Sequence, residues 1–164
     1  MKQLLQQYSA YNLWANKRIV ETIKLLSADQ TDQTIVSSFP SIKKTAEHMM
    51  DAESMWWQRL KLAEHVERPS EKNQMNFDEI SKLLLLSSQQ WLNWVQETSE
   101  SNLTHVFAYY NTKKEHFKQP IHEMLMHLFN HQTYHRGQLV LMLRQSGVDK
   151  IPATDFIAFT RKKS

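Results

Sequence analysis

The chain contains no cysteine and only two glycines and four prolines among its 164 residues. Without cysteine it can form neither a disulfide nor a thiolate metal site, and this composition fits a cytoplasmic protein. Glycine and proline supply most tight turns, so their scarcity favours a few long helices over many short strands. The sequence also lacks an apolar run long enough to span a bilayer and a signal-peptide core, so we expect no membrane partner.

Positive charge is present but is not concentrated in one place. The 20 basic and 17 acidic residues leave a formal net charge of +3. The basic residues form separate short runs at Lys43–Lys44, Lys113–Lys114 and Arg161–Lys163. A nucleic-acid-binding face gathers its positive charge on one side, so we predict no nucleic-acid partner. The length fits one domain covering residues 1–164.

Apolar residues recur with helical spacing in four long segments, which predicts four amphipathic helices. The first covers about 2–26, the second about 41–64, the third starts at Asn76 or Asp78, and the fourth covers about 120–145. Ser41 is the expected N-cap of the second helix, and Ser146–Gly147 is a typical end for the fourth.

The segment between the third and fourth helices has a different pattern. Leu103, His105 and Phe107 alternate with other residues, and Asn111–Thr112 can turn the chain back toward 116–118, which predicts a short hairpin. The tail from 152 to 164 contains apolar side chains, Phe156 among them, that we expect to pack on the helices. The sequence therefore predicts an all-α four-helix bundle with a short irregular or hairpin segment between helices 3 and 4.

Three histidines, His127, His131 and His135, follow one another at intervals of four residues in the fourth helix. A step of four returns to nearly the same helix face, so two neutral imidazoles one turn apart can hold one divalent cation. A random chain with this histidine content would contain roughly 0.4 such pairs, and here two pairs overlap. The side chains of His127 and His135 point in directions about 80° apart, so we do not expect all three histidines to bind one ion. The spacing alone does not show which two of them do.

A metal site inside a bundle needs a further ligand from a facing helix, and His48 of the second helix is the candidate. His48 lies on a predicted inward stripe with Met55, and the small Ala52 leaves room beside it. The alternative is a hydrogen-bonded core histidine. We favour joint metal binding because several buried imidazoles without a shared partner would each need separate hydrogen bonds.

One tempting motif fails. His122–Glu123 and His127 have one residue too many between them for the metalloprotease motif, and a spacing of five places the two histidines about 140° apart. We therefore reject a peptidase function.

The neighbours of these histidines have structural interpretations. Tyr134 points about 100° away from His135, so we predict a core position for it. Arg136 is predicted to pair with Glu47 or Glu53 across the bundle. Gly137 is predicted to allow close helix approach or to make room for a bulky side chain.

The chain resembles the DinB (damage-inducible) family, the DinB/YfiT-like metalloenzymes, over nearly its whole length. The matching segments are Tyr11–Arg18, Ser41–Ile42 with His48, His127–His131, His135–Gln138, Pro152 and Thr154–Phe156. The resemblance implies an up-down-down-up bundle that forms a homodimer. It also implies that His48, His131 and His135 bind the metal, while His127 has a structural or supporting role.

Three histidine ligands leave an open coordination position, which is typical of catalytic zinc. Imidazole suits zinc and nickel, so we expect one of these as the divalent transition metal. Some members of the family resemble thiol-dependent S-transferases, and the chain has no cysteine to act as its own nucleophile. We therefore predict a metal-dependent S-transferase that uses a low-molecular-weight thiol and a small electrophile, with no catalytic side chain assigned. The alternatives are a non-enzymatic, metal-stapled stress-response or interaction module and a metal-dependent hydrolase.

Overall fold

The computed structural model describes residues 1–161 and is mostly helical with two short antiparallel strands. Its elements are α1 (Lys2–Ile23), α2 (Ala28–Asp32), α3 (Ile42–Leu60), α4 (Pro69–Lys72), α5 (Phe77–Glu97), α6 (Glu100–Thr104), β1 (Val106–Tyr110), β2 (His116–Pro120), α7 (Ile121–Gln145) and α8 (Phe156–Thr160). Residues 162–164, which end both the predicted tail and the last basic run, lie outside the described residues.

The ends of the long helices are fixed by local hydrogen bonds. Ser41 is the N-cap of α3, as predicted, and its hydroxyl accepts a hydrogen bond from the Lys44 amide at 3.1 Å. Asn76, one of the two predicted starts, caps α5 in a reciprocal arrangement with Glu79. Gly147, just beyond α7, adopts a φ of 82°, which glycine reaches without the strain that a Cβ would cause.

Two predicted helices are shorter than the sequence pattern indicated. The first ends at Ile23 instead of near 26, because Ser27 begins the separate short helix α2 with its own capping box. The second ends at Leu60 instead of near 64, and the chain reverses at Leu62, whose φ is 54°. In both cases the apolar spacing continues past the point at which backbone hydrogen bonding changes.

The predicted hairpin between the third and fourth long helices is confirmed. Strands β1 and β2 pair in antiparallel register, with Ala108 opposite Lys118. The turn is longer than the two residues predicted, because Asn111 accepts hydrogen bonds from the amides of Lys113 and Glu115 and so organises a five-residue connection. Leu103 lies in the short helix α6 and not in the hairpin.

The four long helices supply most of the packing. α1 and α3 each pack against both α5 and α7, and buried apolar side chains form two core clusters between them. The described part of the tail packs as predicted, because Phe156 contacts the rings of Tyr8 and Tyr11 edge-on. None of the helices within residues 1–161 is long and apolar enough to cross a membrane.

Candidate metal centre

Three of the histidines singled out by the sequence lie together between α3 and α7. The Nε2 atom of His131 is 3.0 Å from that of His48 and 3.0 Å from that of His135. One ring nitrogen from each residue lies within 4.8 Å of the other two, so the three together could hold a metal ion. His131 and His135 are one turn apart on α7, and His48 faces them from α3. We call these three residues the histidine cluster.

All three imidazoles are held in the neutral form. Burial, followed by the charges of His135 and Arg68, lowers the pKa of His48 to about 4. Burial, followed by the charges of His135, His48 and His127, lowers the pKa of His131 to about 3, and burial also lowers the pKa of His135. Neutral imidazole is the form that binds a metal, so the cluster has lone pairs available at neutral pH.

Other side chains fix the orientation of the rings. His135 donates from Nδ1 to Oε1 of Gln138 at 2.7 Å, and Gln138 in turn donates to the hydroxyl of Ser38 at 2.8 Å. This chain of hydrogen bonds places the His135 proton on Nδ1 and leaves its Nε2 lone pair facing the cluster. The ring of His48 stacks on Phe39 with centroids 4.2 Å apart.

No distribution of protons makes both close contacts of the histidine cluster full hydrogen bonds. A neutral imidazole has one N–H, and that of His135 is used by Gln138. The His131 Nε2 can accept a proton from His48, or it can donate its single proton to one neighbour or share it between both. At least one close nitrogen contact is therefore weak or repulsive, whereas a cation would accept all three lone pairs. Tetrahedral zinc places its nitrogen ligands about 3.3 Å apart, close to the two observed separations.

A cavity of about 330 Å³ opens beside the cluster, and His48 and His131 lie in its wall. This volume is at the lower end of the range for small-molecule sites. Its other polar or aromatic lining residues include Asp51, Trp56, Arg59, Arg68 and His127. A larger depression of about 580 Å³, lined in part by Arg18 and Lys150, includes none of the clustered histidines.

His127, whose part in the site the helical spacing left open, is separate from the cluster. Its ring centroid is 6.0 Å from that of His131, compared with 4.3 Å between His131 and His135. His127 packs edge-on against Trp56 at 5.5 Å and lines the cavity. Partial burial and the nearby Arg59 lower its pKa.

The predictions for the three neighbours were wrong. Tyr134 is 60% exposed, because its position on α7 faces away from the core. Arg136 does not pair with Glu47, which binds Lys44, nor directly with Glu53. A Cβ on Gly137 would meet no heavy atom within 4 Å, so neither close packing nor a bulky neighbour explains this glycine.

Arg136 instead belongs to a second group of polar residues, inside the core. Its Nη1 donates to the side-chain oxygens of Asn12 and Asn16, both at 2.8 Å. The amide nitrogens of these asparagines, at 2.9 and 3.4 Å, and the Ser88 hydroxyl at 2.9 Å donate to the Glu53 carboxyl. Burial raises the pKa of Glu53 to about 7, although these hydrogen bonds and Arg136 oppose the increase. We call Asn12, Asn16, Glu53, Ser88 and Arg136 the buried polar cluster.

Several residues around the histidine cluster were not identified from the sequence. Gln138 lies three residues after His135, so helical spacing contained the signal for that hydrogen bond. Phe39 and Ser38 lie in the loop before α3, where no periodicity indicates a neighbour. Asp51 of α3 accepts hydrogen bonds from the amide and hydroxyl of Ser70 in α4, 19 residues further along the chain. These bonds hold Asp51 in place in the cavity wall.

Known proteins resemble this chain in sequence and in fold. The sequence model of the DinB family matches residues 1–163. The protein DinB of Bacillus subtilis (strain 168) is 31% identical over 155 residues, which cover 89% of this chain and 87% of that protein. The crystal structure of a DinB-like protein from Bacillus cereus ATCC 10987 superimposes with a TM-score of 0.66. That structure is 19% identical, covers 85% of this chain and 89% of its own, and supports the fold alone.

Proposed function

The chain belongs to the DinB family, and on that premise we propose that His48, His131 and His135 bind one divalent transition metal in a thiol S-transferase. The observation that supports metal binding most directly is the proton count in the histidine cluster. Two contacts of 3.0 Å join three nitrogens, and the available protons cannot make both contacts full hydrogen bonds. Zinc and nickel are the preferred ions because imidazole is a good ligand for both.

The position of the cavity supports a catalytic use of the metal. His48 and His131 lie in its wall, so a small molecule in the cavity would reach the open side of a three-histidine site. The protein has no cysteine, so the nucleophilic sulfur in an S-transfer must come from a separate thiol. A bound divalent cation lowers the pKa of a coordinated thiol and thereby supplies thiolate at neutral pH.

The surrounding residues would hold the site in a binding geometry. Gln138 and Ser38 fix the orientation of His135, and Phe39 supports the ring of His48. Fixed ligands lose less freedom when they bind an ion, so these contacts favour metal binding. In the transfer, the thiolate sulfur forms a bond to the electrophilic carbon, the leaving group departs with its electron pair, and the thiol proton passes to solvent.

The reaction is tested by incubating metal-loaded protein with 1-chloro-2,4-dinitrobenzene and, separately, bacillithiol, glutathione or mycothiol. We expect metal-dependent formation of the aryl thioether and release of chloride with at least one thiol. The activity should disappear in His48→Ala, whose control is His105→Ala on an exposed residue. Failure of all three thiols to bind or react with metal-filled protein would contradict the proposed S-transferase.

A metal that only joins α3 to α7 is the competing function, because the ligands come from both helices. Such a structural site is closed by four protein ligands, whereas the histidine cluster supplies three. X-ray absorption of zinc-loaded protein separates the two functions. Three imidazole ligands and a fourth ligand that sulfur replaces when a thiol is added support catalysis, and four protein ligands that do not change support a staple.

We further propose that the four long helices form an up-down-down-up bundle domain and that two copies associate. The packing of α1 and α3 against both α5 and α7 supports this arrangement of helices. Sedimentation equilibrium tests the association, and a mass near that of one 19.5 kDa chain at all concentrations would contradict it.

A further inference from the structure

Arg59 holds a guanidinium group in a fixed position at the wall of the cavity. The group lies over the ring of Trp56 at 4.7 Å and near that of Tyr109 at 5.8 Å. Its Nε donates to the carbonyl oxygen of Tyr110 at 3.2 Å. Two aromatic rings and the hairpin backbone therefore orient this side chain, while its two terminal nitrogens form no hydrogen bond to residues 1–161.

Among residues 1–161, the Arg59 cation has no counter-charge of its own. The ion pairs found within residues 1–161 do not include Arg59. The other arginine at the cavity, Arg68, is paired with Glu71 at 3.2 Å. The carboxylate of Asp51 also lines the cavity, but its two oxygens accept from Ser70. A half-buried charge without a partner is unfavourable, and an anion in the cavity would compensate it.

We infer that Arg59 forms an anion subsite that binds a carboxylate of the small molecule whose other end reaches the histidine cluster. This inference rests on the proposed function for the identity of that other end, which makes the ligand a carboxylate-bearing thiol. The planar guanidinium fork matches a carboxylate in two parallel hydrogen bonds, and its terminal nitrogens are the ones left free.

The distance between the two ends limits the size of the ligand. Residues 48 and 59 are separated by eleven helical steps, about 16 Å along α3, and the Arg59 guanidinium reaches back over Trp56, about 4.5 Å nearer to His48. An extended tripeptide spans about 10 Å. A metal–sulfur bond and the hydrogen bonds to Arg59 cover part of the remaining gap, so a thiol of tripeptide size is the class of ligand that joins both ends. Cysteamine, which has no carboxylate, would reach the cluster alone. The cavity of about 330 Å³ accommodates a molecule of this class.

The test uses S-methylglutathione, which keeps both carboxylates but has no free thiol, and its dimethyl ester, which has no carboxylate. Binding to zinc-loaded protein is measured by isothermal titration calorimetry. We expect S-methylglutathione to bind wild type about tenfold or more tightly than it binds Arg59→Gln, since a hydrogen-bonded charge is lost. Wild type should bind the dimethyl ester more weakly than S-methylglutathione by the same factor. Arg59→Lys keeps the charge but not the planar guanidinium. Its affinity for S-methylglutathione should lie between those of wild type and Arg59→Gln.

Lys61→Gln is the matched control, because the Lys61 ammonium lies over Trp57 at 5.0 Å and does not line the cavity. Equal affinity of wild type and Arg59→Gln, equal affinity for acid and ester, or no binding to wild type would each overturn the subsite. Failure of the proposed function is visible separately. If glutathione binds zinc-loaded protein no more tightly than S-methylglutathione, the sulfur–metal contact fails, while a dependence on Arg59 still establishes the anion subsite.

Discussion

Two polar clusters lie on neighbouring faces of the same helix and differ in how their hydrogen bonds are satisfied. Helix α7 presents His131 and His135 to the histidine cluster, and the very next residues, Gln132 and Arg136, point into the core. The buried polar cluster pairs a cation with a carboxyl through two asparagines. In the histidine cluster, no proton arrangement makes both close contacts full hydrogen bonds. Internal compensation of charge indicates a structural role for the buried polar cluster, and closely spaced nitrogens with too few protons indicate an external cation for the histidine cluster.

The largest expected effect separates the histidine cluster from its neighbour His127. We expect His131→Ala to lose stoichiometric metal, because it removes the central nitrogen of the cluster. His127→Ala should retain most of the metal, since its ring lies 6.0 Å from that of His131. Elemental analysis of the purified variants measures both. If the two variants contain equal metal, the assignment of ligands is wrong.

The buried polar cluster should instead respond in stability. Arg136→Met removes the cation that is 1% exposed and leaves the Asn12 and Asn16 oxygens without a donor. Removing one partner of a buried charge network costs about 3–5 kcal/mol of unfolding free energy. Urea denaturation of metal-free protein measures this loss, with the exposed Arg144→Met as control. A loss below about 1 kcal/mol would show that Glu53 and the asparagines are satisfied without the guanidinium.

Gln138 tests whether the orientation of a ligand matters. Replacing it by alanine removes the acceptor for the His135 Nδ1–H but leaves all three Nε2 atoms in place. Loss of such a supporting hydrogen bond typically weakens metal affinity by about 10- to 100-fold. Competition with a zinc-binding dye measures the affinity, and Gln145→Ala, exposed near the end of α7, is the control. Unchanged affinity would mean that packing alone orients His135.

The same comparison shows what sequence patterns predict and what they do not. The long helices and the hairpin follow from periodicity, because periods of 3.6 and 2 reflect which face is buried. Spacing also placed His131 and His135 on one face of α7. Choosing between His127 and His135 required a facing residue, and the position of His48 relative to α7 depends on packing between helices 83 residues apart in sequence.

Arg136 shows the limit most clearly. A buried arginine suggests a carboxylate partner, so Glu47 and Glu53 were the natural candidates. Arg136 donates hydrogen bonds to Asn12 and Asn16 of α1. Asn12 in turn donates to Glu53, so the guanidinium and the carboxyl are linked indirectly. Sequence indicates that a buried charge must be compensated but not whether the compensation is direct. The unpaired Arg59 was also not identified, because its surroundings combine α3 with the hairpin.

The smallest expected effect is the response of metal affinity to acid. An ordinary imidazole with a pKa of 6.5 binds protons in about thirtyfold excess at pH 5, so three of them would weaken zinc binding by roughly 10⁴-fold relative to pH 7.5. The pKa values of His48 and His131 are lowered to about 4 and 3, so protons compete there only well below pH 5. The pKa of His135 is lowered as well, so protonation of His135 weakens zinc binding by at most about thirtyfold over this pH range.

We therefore expect the zinc Kd of folded protein to rise by less than about thirtyfold between pH 7.5 and pH 5. The sign for folding is the same as that for a carboxylate with a lowered pKa, because in both cases the unfolded state binds more protons. Because the unfolded histidines take up protons below pH 6.5 while the folded ones stay neutral, metal-free protein loses stability as pH falls from 6.5 toward 4. Circular dichroism at pH 5 must accordingly show folded protein before each titration. A Kd that rises more than about 10³-fold in folded protein would mean that the cluster titrates like three ordinary histidines, open to water and not prepared for a metal.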